Sequence, residues 1–176
     1  MWNKLRHLFE HDDGSLPDIY ISNISESEMK LIYAYILSIS KVPVGPTLWS
    51  LTENRDIKIS DISDPLQYFL DDKCSPFRHG LDNLNIENVF LPYLTISVDG
   101  KDEISFDYRM GKEWSELEFN ALIQMLCKIK NISLKSRIYH ADEGGYNDRC
   151  NGEFESELKN LFRNKQVYQN TESNRI

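Results

Sequence analysis

The chain lacks the local signatures that announce most chemistry. It has no G-x-x-x-x-G-K-[ST] phosphate loop, no G-x-G-x-x-G dinucleotide turn and no G-x-S-x-G nucleophile elbow. Cysteine is scarce: Cys74, Cys127 and Cys150 are the only three, and none lies in a C-x-x-C pair. An odd, dispersed set argues against a disulfide framework or a zinc ribbon and fits a reducing compartment. No apolar run approaches the roughly 20 residues of a membrane span. The first ten residues are charged and hold no apolar segment of the secretory type, so the expected location is the cytoplasm. Internal repeats, low-complexity stretches and long linkers are absent as well.

Positive charge is also in deficit. Lys plus Arg is 20 against 28 for Asp plus Glu, a net charge of −8. A field of that sign repels phosphate backbones and anionic membranes, and it draws in basic partners. Neither nucleic acid nor a membrane is therefore expected as a ligand. The simpler reading of the same number is solubility alone.

What is present is enough for one core. With 176 residues, 40% hydrophobic and 11% aromatic, the chain can fold without metals or disulfides. Trp2, Leu5, Leu8 and Phe9 have helical spacing over residues 2–10. Asp18–Ile21 reads as a strand. Ser25 with Glu28 makes a capping box for a helix that is apolar nearly all round through Leu37. Asp64 followed by Pro65 opens another helix. Residues 74–88 read as an irregular loop. Leu94, Ile96 and Val98, then Ile104, Phe106 and Tyr108, alternate with polar residues around Asp99-Gly100. A three-residue turn would set Ile96 opposite Ile104 and keep both apolar sets on one face. A strong helix is predicted from Trp114 to Lys130, with a wet stripe of Glu113, Glu116, Asn120 and Gln124. A strand over 132–139 and a helix over 153–162 follow. Elements mix without regular β-α-β alternation. The expected fold is therefore α+β, a mainly antiparallel sheet packed with several helices, as one domain over 1–163 with a polar tail over 164–176.

Two arrangements could carry catalysis. His7-Leu8-Phe9-Glu10-His11 matches H-x-x-E-H, which on a helix sets two imidazoles on one face with a glutamate as base. The plainer alternative is a terminal helix with two solvent-facing histidines. Cys74 could serve as a nucleophile if His79 or His140 stood beside it. Neither arrangement has a supporting element elsewhere, so no catalytic residue, metal or cofactor is expected.

Acidic residues recur at predicted loops and element ends. Asp71 and Asp72 close a helix, and Asp99, Asp102 and Glu103 surround a hairpin tip. Asp142, Glu143 and Asp148 flank a glycine pair beside Tyr146. Each group alone reads as a solvated loop. Together they are candidates for binding a basic protein, because carboxylates form charge-assisted hydrogen bonds with Lys and Arg, and tyrosine suits an interface centre.

The segments Phe106-Asp107-Tyr108-Arg109-Met110-Gly111-Lys112-Glu113-Trp114 and Asp18-Ile19-Tyr20-Ile21-Ser22-Asn23 give the chain a resemblance to the immunity proteins of bacterial toxin systems, contact-dependent growth inhibition among them. The resemblance is one of general character over most of the chain and assigns no residue a role. It implies a cognate toxin, often a basic nuclease, blocked at or near its active site. The rival expectations are a small enzyme using Cys74 or His7 and His11, and an adaptor or regulator without a toxin partner.

Overall fold

The computed structural model describes residues 1–143 and 151–173, with side chains as far as residue 163. The chain begins with α1 (Trp2–Leu5) and a 3-10 turn (Arg6–Leu8), followed by β1 (Asp18–Ser22) and α2 (Glu26–Ser38). A small ribbon of β2 (Thr47–Ser50) and β3 (Arg55–Lys58) leads to α3 (Pro65–Leu70) and β4 (Phe77–Leu81). A second ribbon, β5 (Asn85–Ile86) and β6 (Val89–Phe90), precedes the hairpin of β7 (Leu94–Val98) and β8 (Glu103–Tyr108). The chain then runs through α4 (Glu116–Ile132), β9 (Arg137–Ala141) and α5 (Gly152–Ser173).

The fold is α+β, as expected. Its main sheet has the order β4-β7-β8-β1-β9, and every adjacent pair is antiparallel. β1 lies between β8 and β9, which therefore run parallel to each other and are joined by α4. This split β-α-β arrangement brings residues near 20 beside residues near 105 and near 140.

Side chains on a strand alternate with period two, so each strand divides cleanly. Ile19, Ile21, Leu94, Ile96, Val98, Ile104, Phe106, Tyr108 and Ile138 point to one face and are at most 4% exposed. Met29, Ile32 and Ile36 of α2, Phe119, Leu122, Met125, Leu126 and Ile129 of α4, and Phe154 and Leu158 of α5 join them in one core. On the opposite face the buried apolar residues are Tyr20, Tyr139 and Ala141, which form a separate small cluster of strand residues.

Helix signals behaved unevenly. Ser25 and Glu28 form the expected capping box, and Asp64 accepts from the Gln67 amide ahead of Pro65. α4 starts two residues later than predicted, because Ser115 and Glu118 make a second capping box there. Glu113 therefore lies outside the helix, and Leu117 in its first turn is exposed, as is Leu31 of α2. Ser115→Ala is expected to cost about 1 kcal/mol, a fall of roughly 3 °C in thermal midpoint. A midpoint unchanged within error would show that Glu118 alone holds that helix start.

Four other expectations need correction. The supposed loop over 74–88 contains the edge strand β4, whose Phe77, His79 and Leu81 are buried. In the β7–β8 hairpin Ile96 faces Phe106 and Leu94 faces Tyr108, two residues from the predicted register. A shift of two preserves parity, so the apolar face was right while the turn is longer. The strand placed over 132–139 begins at Arg137, because α4 continues to Ile132. The last helix runs on to Ser173 instead of stopping near Phe162.

Candidate protein-binding face

The second face of the sheet gathers the polar halves of five strands: Asp18, Tyr20 and Ser22 of β1, Glu103, Ser105 and Asp107 of β8, Thr95 and Ser97 of β7, Arg78 and Gly80 of β4, and Arg137 and Tyr139 of β9. Register places Asp18 directly opposite Asp107, and Ser22 opposite Glu103. Two carboxylates facing each other across antiparallel strands repel, which a sheet built for stability alone avoids. Local rules are broken most often at functional sites.

The electrostatics follow from this placement. Partial burial pushes the Asp18 carboxyl up to about 6, Asp107 adds repulsion, the Tyr20 hydroxyl opposes it, and Asp99 and Glu143 raise it further. Asp107 is likewise raised by burial. The Thr95 hydroxyl and the Arg78 guanidinium offset part of that shift, while Asp99 and Glu143 add to it. Asp99, although exposed, loses enough hydration over the sheet to be raised too, with Ser105 and Arg78 opposing. Glu103 is raised by burial, relieved by the Tyr139 hydroxyl and raised again by Asp102 and Asp99. Four carboxyls are thus held where their charge is costly.

Two buried aromatic rings pack among them. The Tyr20 and Tyr139 rings stack at 5.1 Å between centroids, and the Arg137 guanidinium lies 4.5 Å from the Tyr139 centroid. The Tyr20 hydroxyl is 3.4 Å from the Asp18 carboxylate, and the Tyr139 hydroxyl is 3.3 Å from that of Glu103. At the end of the row nearest Asp107 a cleft of about 600 Å³ opens between Tyr93, Leu16 and Arg109.

Of the residues singled out by sequence, Asp99, Asp102 and Glu103 sit at one end of this face, and Asp102 fixes the turn by accepting the Ile24 amide through its carbonyl. Asp142 and Glu143 sit at the other end, just past β9. Glu143 accepts the Leu16 amide at 3.2 Å. Asp71 and Asp72 are met within the chain: Lys73 is 2.8 Å from Asp71 and Lys101 is 2.7 Å from Asp72, while Lys101 also donates to the Leu70 carbonyl that ends α3. Tyr146 and Asp148, with the Gly144-Gly145 pair, lie outside the described residues. Sequence reasoning missed Asp18 and its pairing with Asp107. The alternation in β8 marks Asp107 as outward, but nothing local predicts that β1 lies beside it.

The catalytic alternatives meet unfavourable surroundings. α1 ends at Leu5, so His7 falls in the 3-10 turn and His11 beyond it, and the two imidazoles do not share a helical face. Cys74 is buried, and desolvation pushes its thiol up to about 11, far from a thiolate at neutral pH. His79 accepts from Tyr33 through Nε2 at 2.8 Å and donates from Nδ1 to the Gly80 carbonyl at 2.8 Å. His140 donates from Nε2 to Tyr108 at 2.8 Å, and Tyr108 in turn donates to the Leu8 carbonyl at 2.9 Å. Burial lowers both histidines, His140 to about 4, so each is a neutral core residue.

No protein-family model matches the sequence, and no curated protein does. Among solved structures, one chain of the complex between the toxic C-terminal tip of CdiA from Pseudomonas aeruginosa and its immune protein superposes with a TM-score of 0.47 at 13% identity. That match covers 72% of this chain and 85% of that one. A Pseudomonas aeruginosa T6SS protein gives 0.39 at 10% identity, covering 81% of this chain and 48% of that one. Among the described residues no helix is long and apolar enough to cross a membrane.

Proposed function

We propose that the chain is an immunity protein that acts in the cytoplasm by binding and neutralising a cognate basic toxin, of the nuclease type. It works by binding, with no cofactor. The observation that carries this reading is the Asp18–Asp107 opposition on the second sheet face, flanked by Asp99, Glu103 and Glu143. Carboxylates already forced together and partly desolvated gain most from a cationic surface, because that surface relieves a repulsion present in the free protein. A nuclease presents such a surface wherever it holds a phosphate backbone. Occupying it would block the toxin without any chemistry. The net charge of −8 speeds encounter at low salt.

The test uses the toxin domain encoded beside this chain's gene, measured by titration calorimetry and stopped flow. One-to-one binding is expected, with association slowing about tenfold or more between low and physiological salt. A complex indifferent to salt, or no complex at all, would count against the reading.

A further inference from the structure

We propose that the cleft beside Tyr93 receives an arginine side chain of the basic partner. This rests on the reading above and adds the residue type that the face selects.

The cleft of about 600 Å³ lies at the Asp107 end of the carboxylate row and is lined by Tyr93, Leu16, Asp107, Glu113, Asp12 and Arg109 among others. One wall is aromatic and held in place. Tyr93 is 59% exposed, yet its hydroxyl rests on the second face of β4 at Gly80, where a Cβ would come within 1.7 Å of the phenol oxygen. The φ of Gly80 is not in the left-handed region, so the backbone does not demand glycine there. What needs the missing side chain is the phenol. An exposed tyrosine thus has a seat cut for it in the neighbouring strand, which fixes its ring as a flat surface beside the acids.

The charges sort themselves. Arg109 is engaged by Asp12, with Nε at 3.1 Å and a terminal nitrogen at 2.9 Å from one carboxylate oxygen. Among the described residues neither Asp107 nor Glu113 forms an ion pair, although Arg78 acts on Asp107 from β4. An acidic floor beneath a fixed aromatic face matches a guanidinium better than an ammonium. The planar group stacks on the ring and offers two parallel N–H donors to one carboxylate, whereas lysine brings a compact, strongly hydrated charge. Leu16, 40% exposed, offers apolar contact for the methylene stem.

The test needs no toxin. The 15N-labelled chain is titrated with Ac-Gly-Arg-Gly-amide, its lysine counterpart and the uncharged citrulline counterpart, and amide shifts are followed. Arginine is expected to move the signals of Tyr93, Thr95 and Asp107 saturably, with lysine about threefold weaker and citrulline without effect. Asp107→Asn should weaken the arginine peptide about tenfold. Gly80→Ala keeps every carboxylate and displaces only the tip of an exposed side chain. It should weaken arginine about threefold and erase its advantage over lysine. If Gly80→Ala does not fold, Tyr93→Leu makes the same comparison. Equal arginine and lysine affinities in the wild type, or shifts spread over acidic residues elsewhere, overturn the proposal. Salt-sensitive toxin binding that survives such a result leaves the immunity reading standing. Arginine capture at the cleft without any basic toxin partner overturns the immunity reading alone.

Discussion

Phe9→Ala is expected to destabilise the fold by about 3–5 kcal/mol, with a fall in thermal midpoint of roughly 10 °C. Phe9 is 0% exposed although it follows the last helical turn of the N-terminal segment. Its ring stacks on Tyr108 at 4.9 Å and meets Trp114 at 5.1 Å and Phe119 at 5.2 Å. His140 and Phe154 close the other side at 6.3 and 6.4 Å. Its carbonyl accepts the Gly111 amide at 2.8 Å. One side chain therefore ties the first ten residues to β8, β9, α4 and α5. Truncation leaves a cavity among rings that cannot collapse together, because each is fixed by its own element. Phe9→Leu keeps most of the volume and should cost about 1–2 kcal/mol. Urea titrations read both variants. A loss below about 1 kcal/mol for Phe9→Ala would mean that the N-terminal segment contributes little to the core.

Asp18→Lys is expected to move stability and binding in opposite directions. In the free protein it replaces a like-charged cross-strand pair with an opposite-charged one facing Asp107. At a half-exposed site, with solvent screening, the gain is about 1 kcal/mol. Against a basic partner the same change turns an attraction into a repulsion, and affinity should fall about a hundredfold or more. The sign of the pH effect follows from Asp18, whose carboxyl stands at about 6 instead of the ordinary 3.8. Between those values the folded chain holds more protons at this site than the unfolded chain does. Asp18's share of stability therefore rises as pH falls from about 6 toward 4. Cationic binding needs the ionised form, so affinity for the partner should weaken across the same window. His140 runs the other way. Held neutral down to about 4 against an ordinary 6.5, it loses stability as pH falls between those values. The difference between wild type and Asp18→Lys isolates the aspartate from that background. Thermal midpoints from pH 7 to pH 4, paired with affinities at pH 7.5 and 5.5, provide the check. A variant that binds as tightly as wild type would remove Asp18 from the interface.

Local pattern carried the fold class and failed at pairings across long sequence distances. Alternation in 94–98 and 104–108 marked both central strands and their buried face. Capping residues located the starts of α2 and α3. The edge strand β4 was hidden because Arg78 and Gly80 interrupt it and His79, a polar residue, takes a core position by bonding Tyr33 and the Gly80 carbonyl. The hairpin register was misjudged because two turns that differ by two residues satisfy the same face rule. The candidate face was legible only in part. Asp99, Asp102, Glu103, Asp142 and Glu143 stood out as acidic runs. Asp18, an isolated acid at the start of a strand, acquires meaning only from the order β8-β1-β9, and no periodicity encodes that order. Asp71 and Asp72 resemble the other acidic clusters in sequence, but in the fold each meets a lysine of this chain, Lys73 and Lys101 respectively.

The proposed docking residues lie on strands whose inward neighbours make the core, and this separates two kinds of inheritance. Asp18 and Ser22 share β1 with Ile19 and Ile21, yet the two sets face opposite ways and answer to different demands. The half-buried outward positions Asp18, Ser22, Glu103 and Asp107 can be exchanged one at a time, each altering the surface a partner meets, while the buried residues that specify the fold, Tyr20 and Ser105 among them, stay untouched. A lineage pursued by changing adversaries could rewrite its recognition surface on an unchanged scaffold. Related chains would then diverge fastest at positions 18 and 22 of β1 and 103 and 107 of β8.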